Sequence, residues 1–241
     1  LAQLGIKVIL PSSYLCCGYP QKAQGEIAQA QQINTRNRVL FHRLASTLPE
    51  LDVKHVIVSC GTCMDQLLDY QFDSIFPGCK QLDIHEYMLE HGVTLENTPE
   101  TEYLYHEPCH DPMKQHDSLE VASAIIGKQV YLTDRCCGES GTFAVSRSDI
   151  AQQVRYRKLE SIRASADQIR VKQNERSTEK PEIKILTSCP SCKQGLARYR
   201  DDTGMDADYL VVEVMLQQYG KDWQKQVLQR FSENGIERVL L

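Results

Sequence analysis

The sequence predicts an α/β fold of two similar halves, each with parallel strands flanked by helices, the halves being related by internal duplication. Short β-branched runs alternate with helical stretches, and strand-helix alternation implies a parallel sheet. The cysteines also recur in one order, a Cys-Cys-Gly followed by a C-x-x-C: Cys17-Gly18 matches Cys137-Gly138 at an offset of 120, and Cys60/Cys63 matches Cys189/Cys192 at 129. Behind each C-x-x-C comes a similar segment, Ile84-His85-Glu86-Tyr87-Met88-Leu89 and then Val211-Val212-Glu213-Val214-Met215-Leu216, at an offset of 127. Repetition at this period argues for a duplicated domain.

In chain order, Gly5 to Leu10 (GIKVIL) reads as a buried strand entering a turn, Tyr14 to Pro20, that carries the first Cys-Cys-Gly. A helix over about 23–48 follows from apolar residues at helical spacing, and Pro49 to Asp52 ends it. Val53 to Ser59 is a short β-branched run, so Cys60 and Cys63 sit where a strand gives way to a helix starting near Met64. Asp83 to Glu90 reads as a short helix, and the polar stretch from His91 to Thr101 as the connection between halves. The halves are expected at 1–92 and 101–241. The second restarts the programme: a strand at Glu102 to Tyr105 delivers Cys109, and one at Lys128 to Thr133 delivers Cys136 and Cys137. A helix over about 148–164, a polar surface loop over 166–181, and a strand at Glu182 to Thr187 delivering Cys189 and Cys192 into another helix complete it. Cys109 lies 27 residues before its Cys-Cys pair, and a first-half counterpart would fall before Leu1. The chain is therefore expected to be part of a longer polypeptide whose first half is truncated here.

Composition narrows the function. A chain of 241 residues with 24% charged and 41% hydrophobic residues and a net charge of -5 describes a globular protein with no general attraction for nucleic acid or anionic lipid. No apolar run approaches the roughly 20 residues of a membrane span, and Leu1 to Leu10 lacks a signal-peptide pattern, so a cytoplasmic location is expected. Ten cysteines in so large and ordinary a chain point away from disulfide staples.

Nine of the ten fall into the pattern: Cys16, Cys17, Cys60 and Cys63 in the first half, and Cys109, Cys136, Cys137, Cys189 and Cys192 in the second. Cys79 stands outside it and reads as a small core residue. Structural zinc takes four ligands, usually as two clamping pairs, and five thiols in the second half are one too many. Holding two adjacent cysteines on one small ion would strain the peptide between them, whereas separate irons of a cluster suit soft thiolates. Strand-to-helix turns favour thiolates through helix N-termini, and Gly18 and Gly138 allow positive φ beside a bulky core. Arg135 and Lys193 flank second-half ligands and are candidates to offset thiolate charge. His106, His110 and His116 surround Cys109 and raise mixed Cys/His ligation of zinc, although turn histidines more commonly bond to backbone or carboxylate. The Gly138-Glu-Ser-Gly-Thr-Phe143 loop lacks a full phosphate-binding fingerprint and reads as geometry of the cysteine loop.

Cys16-Cys17-Gly18-Tyr19-Pro20, Tyr105-His-Glu-Pro-Cys109-His110, Cys136-Cys137-Gly138-Glu-Ser-Gly-Thr-Phe143 and Ser188-Cys189-Pro-Ser-Cys192 together resemble the cysteine-rich CCG family. That family occurs in heterodisulfide reductase and in the iron-sulfur subunits of glycolate, lactate and glycerol-3-phosphate dehydrogenases. The resemblance covers most of the chain. It implies a 4Fe-4S cluster, non-cubane in form, held by five thiolates in a complete motif; the second half matches completely, while the first lacks its lone cysteine. Some members place zinc in one such motif. The second Cys-Cys-Gly stretch looks closer to the flavin-linked hydroxyacid oxidases, including large forms that fuse a flavin domain to this module.

The reading that follows is an electron-transfer module: FAD on a fused or partner domain oxidises a small 2-hydroxyacid, and clusters here pass electrons to an acceptor protein or quinone. Neither a flavin fingerprint nor a base-and-clamp set for substrate chemistry is visible, so no catalytic residue is assigned and the chain is not expected to act alone. Contact with the inner membrane face would come through partners. Three alternatives stand: a catalytic unit like heterodisulfide reductase, a structural zinc module, and a metal-free dithiol protein suggested by Cys-Pro-Ser-Cys behind a strand.

Overall fold

The computed structural model describes residues 1, 4–11, 15–48, 50, 52–96, 100–139, 143–174 and 181–234. The first half runs α1 (Tyr19–Ala23), α2 (Ile27–Thr47), β1 (His55–Val58), α3 (Gly61–Leu67), a 3-10 turn (Leu68–Tyr70), α4 (Phe72–Ile75), β2 (Lys80–Asp83) and α5 (Ile84–Glu90). The second runs β3 (Glu102–His106), α6 (Ser118–Ile126), β4 (Tyr131–Leu132), α7 (Phe143–Ser146), α8 (Ser148–Asn174), β5 (Ile183–Thr187), α9 (Pro190–Ala197), α10 (Arg200–Thr203), β6 (Ala207–Tyr209), α11 (Leu210–Tyr219) and α12 (Trp223–Asn234). All pairings among the described residues are parallel: β1 with β2, and a four-stranded sheet in the order β4-β3-β5-β6. The α/β class and the two related halves expected from sequence are therefore present.

The halves repeat in structure as in sequence. In each, a strand leads into a C-x-x-C helix, a neighbouring parallel strand follows, and its last residue N-caps the next helix: β1, α3, β2, α5 in one and β5, α9, β6, α11 in the other. Val58 pairs with Asp83 and Thr187 with Tyr209, so Asp83 and Tyr209 occupy equivalent stations. Asp83 caps α5 by accepting a hydrogen bond from the His85 N–H at 2.8 Å.

Alternation along the strands distributes the core over both faces of the larger sheet. Tyr103, Tyr105 and Leu186 pack with Val121, Ile125 and Ile126 of α6 and Leu210 and Val214 of α11. Leu104, Ile183 and Ile185 face the other way, against Ile162, Ala166 and Ile169 of α8 and Leu196 of α9. Met88 of α5 and Leu95 join the first cluster, so the halves share a core. A smaller cluster of Tyr70, Phe72, Ile75, Phe76 and Cys79 serves the first half, and burial pushes the Cys79 thiol up.

Three sequence expectations are corrected. Gly5 to Leu10 is not a strand, and Val8, Ile9 and Leu10 are 51%, 42% and 63% exposed. β-propensity alone does not make a strand without a neighbour for its N–H and C=O groups. In the second half the strand before the Cys-Cys pair, β4, is held by β3, and no counterpart of β3 stands beside Gly5 to Leu10 among the described residues. The helix expected over about 23–48 is present as α2 but begins only at Ile27, because Gly25 takes φ +84° and separates it from the short α1. The loop expected over 166–181 is helix as far as Asn174. Its polarity is that of a solvent face, while Ile162, Ala166 and Ile169 continue one stripe that is at most 1% exposed. The expected strands at 53–59, 102–105, 128–133 and 182–187 and the helix at 83–90 are present with shorter or shifted ends. Of the expected features, residues 14, 49, 51, 97–99, 140–142 and 175–180 lie outside the described residues.

Candidate metal centre

In the larger sheet the chain leaves β3 in one direction to form β4, then returns past β3 to form β5. The reversal between β3 and β5 is a topological switch point, where ligands of open α/β sheets bind beyond the carboxyl ends of the strands. The second-half cysteines lie there: Cys109 follows β3, Cys136 and Cys137 follow β4, and Cys189 follows β5 as the N-cap of α9. In the first half Cys60 follows β1 as the N-cap of α3, and Cys16 and Cys17 immediately precede α1.

Each half brings the second cysteine of its Cys-Cys pair against the second of its C-x-x-C: the Sγ atoms of Cys17 and Cys63 lie 3.3 Å apart, as do those of Cys137 and Cys192. These are contacts between free thiols, well beyond the ~2.05 Å of a disulfide bond. The first cysteine of each pair is tied to its own loop, accepting from the Gly18 N–H at 3.4 Å in Cys16 and from the Gly138 N–H at 3.3 Å in Cys136. Both glycines take positive φ, 87° and 75°, as the turn requires. The Asn37 side chain anchors the first loop by donating to the Cys16 carbonyl at 2.8 Å and to the Tyr70 hydroxyl at 2.9 Å. Cys137, Cys189 and Cys192 are buried, the four first-half thiols are half-buried, and Cys109 and Cys136 are exposed.

Shared protons divide the thiols into anions and donors. Hydrogen bonding from Cys63 pulls the Cys17 thiol down to about 6 and that of Cys60 to about 5, while Cys63 itself is pushed far up. In the second half the Cys137 thiol is strongly lowered by hydrogen bonds from Cys136 and Cys192, with the nearby His106 ring and a bond from the Glu139 N–H adding to them against burial. Cys192 and Cys136 are raised as its donors, and Cys189 falls to about 7 through Cys192. Such clustering of thiolate character suits metal ligation, because the thiolate is the ligand form.

The three candidate histidines separate. His110 is paired through Nδ1 with Asp65 at 2.7 Å and its side chain is 43% exposed. The His116 backbone N–H donates to Glu86, and its side chain is exposed. A ring nitrogen of the buried His106, in contrast, lies with the sulfurs of Cys137 and Cys192 in a group whose members are all within 4.8 Å of one another. Burial, the largest influence on that ring, holds its pKa below the ordinary value. Arg135 is not the cation that faces the sulfurs: its side chain is 62% exposed and pairs with Asp134 at 3.6 Å. That place belongs to Lys158 of α8, fully buried, whose charge acts on Cys137, Cys192 and Cys136 and whose pKa burial lowers to about 8. Sequence reading missed it, yet the signal was present: Lys158 falls four residues before Ile162 on the stripe that α8 otherwise fills with Ile and Ala.

The two sites meet where the halves touch. A Cβ built on Gly61 would come within 1.5 Å of the His110 carbonyl oxygen, so only glycine admits the Cys109-His110 loop against the first C-x-x-C. The Tyr209 hydroxyl hydrogen-bonds the carbonyls of Ser59 and, at 2.8 Å, Ser188, the residues immediately before Cys60 and Cys189. The donor set is soft sulfur, its loops are shaped by glycines, and beside it lies a buried ring nitrogen of His106, Nε2, without a hydrogen-bond partner among the described residues. That combination fits a thiolate-bound iron-sulfur cluster, which supplies one-electron redox chemistry when bound.

Comparison with known proteins agrees. The model of the cysteine-rich domain called CCG matches residues 1–68 and 103–197. The chain belongs to the CCG cysteine-rich family. In this CCG protein a domain of unknown function, DUF3400, matches residues 197–241 as well. An uncharacterized iron-sulfur protein of Methanococcus maripaludis is 24% identical over 225 residues, covering 88% of this chain and 40% of the relative. Lactate utilization protein A of an Exiguobacterium species is 24% identical over 192 residues, 70% of this chain and 74% of the relative. One of the subunits of the fumarate reductase (CoM/CoB) of Methanothermobacter marburgensis is 25% identical over 170 residues, 68% of this chain and 33% of the relative. The chain thus spans 40% of the length of the Methanococcus protein and of a second uncharacterized iron-sulfur protein, from Methanocaldococcus jannaschii. No solved structure matches it.

Proposed function

We propose that this chain is the iron-sulfur electron-transfer module of a flavin-linked oxidoreductase acting on a small 2-hydroxyacid of the lactate or glycolate type. The observation that carries the reading is the repeated convergence of a Cys-Cys-Gly sulfur on a C-x-x-C sulfur at 3.3 Å, once in each half. Cys109, Cys136, Cys137, Cys189 and Cys192 form the complete ligand set for a 4Fe-4S cluster, and Cys16, Cys17, Cys60 and Cys63 the partial one, open to zinc as an alternative. The halves are assigned to 1–92 and 101–241. FAD resides on a fused or partner domain, and electrons leave to an acceptor protein or quinone. The likeness to a lactate utilization protein supports the substrate class. No helix among the described residues is long and apolar enough to cross a membrane, in keeping with a cytoplasmic module that reaches the inner membrane face through partners.

Anaerobic purification followed by iron, sulfide and zinc analysis tests the reading. A brown protein with iron and sulfide in stoichiometric amounts is expected, and Cys137→Ser should lose the second-half iron. A colourless zinc protein would instead make it a structural module, and a metal-free one a dithiol protein. A second reading is a catalytic unit acting on disulfides; the likeness to a fumarate reductase subunit supports its reductase part. Turnover of a disulfide by the isolated chain would select it.

A further inference from the structure

Lys158 and His106 form a buried pair behind the second-half cysteines, at 0% and 2% exposure. The Lys158 Nζ lies 2.8 Å from the Thr133 carbonyl, 2.7 Å from the Asp134 carbonyl and 3.0 Å from His106 Nδ1. An ammonium group has three hydrogens and no lone pair. Two go to the carbonyls, which only accept, and the third goes to His106 at 3.0 Å rather than to the more distant Thr133 hydroxyl at 3.4 Å. Nδ1 must then present its lone pair, which leaves the ring hydrogen of the neutral imidazole on Nε2. Nε2 is buried and has no hydrogen-bond partner among the described residues. An orphaned buried N–H forfeits its hydration with nothing in return, so a native fold that keeps one requires an explanation. The acceptors at hand are the sulfurs of Cys137 and Cys192, grouped with the ring within 4.8 Å.

We propose that Lys158 fixes His106 as a hydrogen-bond donor, so that Nε2–H serves the sulfurs of the second-half site and holds its reduction potential up, and that His106 is not a metal ligand. A protonated ring nitrogen has no lone pair for a metal, which separates the donor role from mixed Cys/His ligation. Donation to ligand sulfur stabilises the added electron of the reduced state, one of the means by which proteins set cluster potentials. Lys158 acts through His106 and is a positioning residue. This role for the pair rests on the iron-sulfur reading proposed above.

The experiment uses the anaerobically purified protein with selectively 15N-labelled histidine. Pulsed paramagnetic resonance of the reduced state should show weak nitrogen coupling and one exchangeable proton coupled to the site. Both signals should disappear in His106→Phe, with iron and sulfide content retained. Redox titration of that variant should show the oxidised-to-reduced ratio at fixed potential rising roughly tenfold, a fall of about 59 mV for one electron. Lys158→Met should abolish the exchangeable-proton signal while His106 is still present, a change that a purely structural lysine would not cause. Strong nitrogen coupling in the wild type, typical of a directly bound ring, would overturn the proposal without any variant having to fold. So would an unshifted potential in an iron-replete His106→Phe. A wild-type protein free of iron and sulfide would instead remove the iron-sulfur reading itself, and the proposed donor role with it.

Discussion

Gly61→Ala should break the contact between the halves. Gly61 is the first residue of α3, where alanine would ordinarily stabilise a helix by up to about 1 kcal/mol. Here the new methyl would sit 1.5 Å from the His110 carbonyl oxygen and 2.5 Å from its carbon. Carbon and oxygen normally approach to roughly 3.3 Å, so one backbone must retreat by nearly 2 Å. The obstacle is main chain and cannot rotate away, and the loop is tied down by the His110–Asp65 and Lys114–Asp65 pairs at 2.7 and 2.8 Å. Overpacking of this kind costs about 1–3 kcal/mol where side chains yield, and a rigid obstacle puts Gly61→Ala at or above the upper end. For a chain of this size, about 3 kcal/mol lowers the melting temperature by roughly 6–12 °C. Thermal melting under anaerobic conditions measures this, and iron content should fall with it because Cys109 precedes the displaced residue. A variant that melts within about 2 °C of the wild type with full iron content would refute the close approach of the two loops.

Other expectations test other parts of the molecule. Ile169→Ala should cost about 2–4 kcal/mol in denaturant unfolding, because Ile169 is 1% exposed in the core; a cost under about 0.5 kcal/mol would mean that α8 ends earlier. Glu213 is buried, which by itself raises its pKa, but hydrogen bonds from Lys184, Gln217 and Tyr103 outweigh burial and hold it below 4.5. A lowered carboxyl stabilises the fold above its unfolded value, and that stability is lost as pH falls through the folded value. Urea unfolding from pH 7 to pH 3 should therefore show a steeper acid limb for the wild type than for Glu213→Gln; parallel limbs would exclude the linkage. At pH 7 the same variant should lose about 2–4 kcal/mol, since among the described residues Lys184 is left with Asp208, at 3.5 Å, as its anionic partner.

What the sequence disclosed was what repeats or alternates. The two C-x-x-C junctions were legible because a β-branched run must end where Cys60 and Cys189 cap helices, and β5 because Glu182 to Thr187 carries the pattern of a buried strand. β2 and β6, Lys-Gln-Leu-Asp and Ala-Asp-Tyr, are too short and polar to announce themselves; they are strands because β1 and β5 offer them an edge. Gly5 to Leu10 shows the converse, strong propensity without a partner. The pairing of Lys158 with His106 was hidden for a different reason. Its place on the Ile and Ala stripe of α8 marked Lys158 as facing the core, but only the meeting of α8 with the end of β3 brings its ammonium group to the imidazole. Of three histidines around Cys109, the one that closes β3 is buried, whereas the two in the following turns are not.

Tyr209 and Asp83 hold the same station in the two halves, but their side chains have taken up different employment. Asp83 still closes its own helix, whereas Tyr209 leaves its helix without a side-chain cap and spans the peptide units ahead of Cys60 and Cys189. A phenol carries one hydrogen and here serves two carbonyls, so neither loop can drift without loosening the hold on the other. The copies have thus become a matched pair that cannot be shuffled freely: a molecule built from two replicas of the first would keep every cysteine that replica owns and lose this clasp between the two sulfur nests.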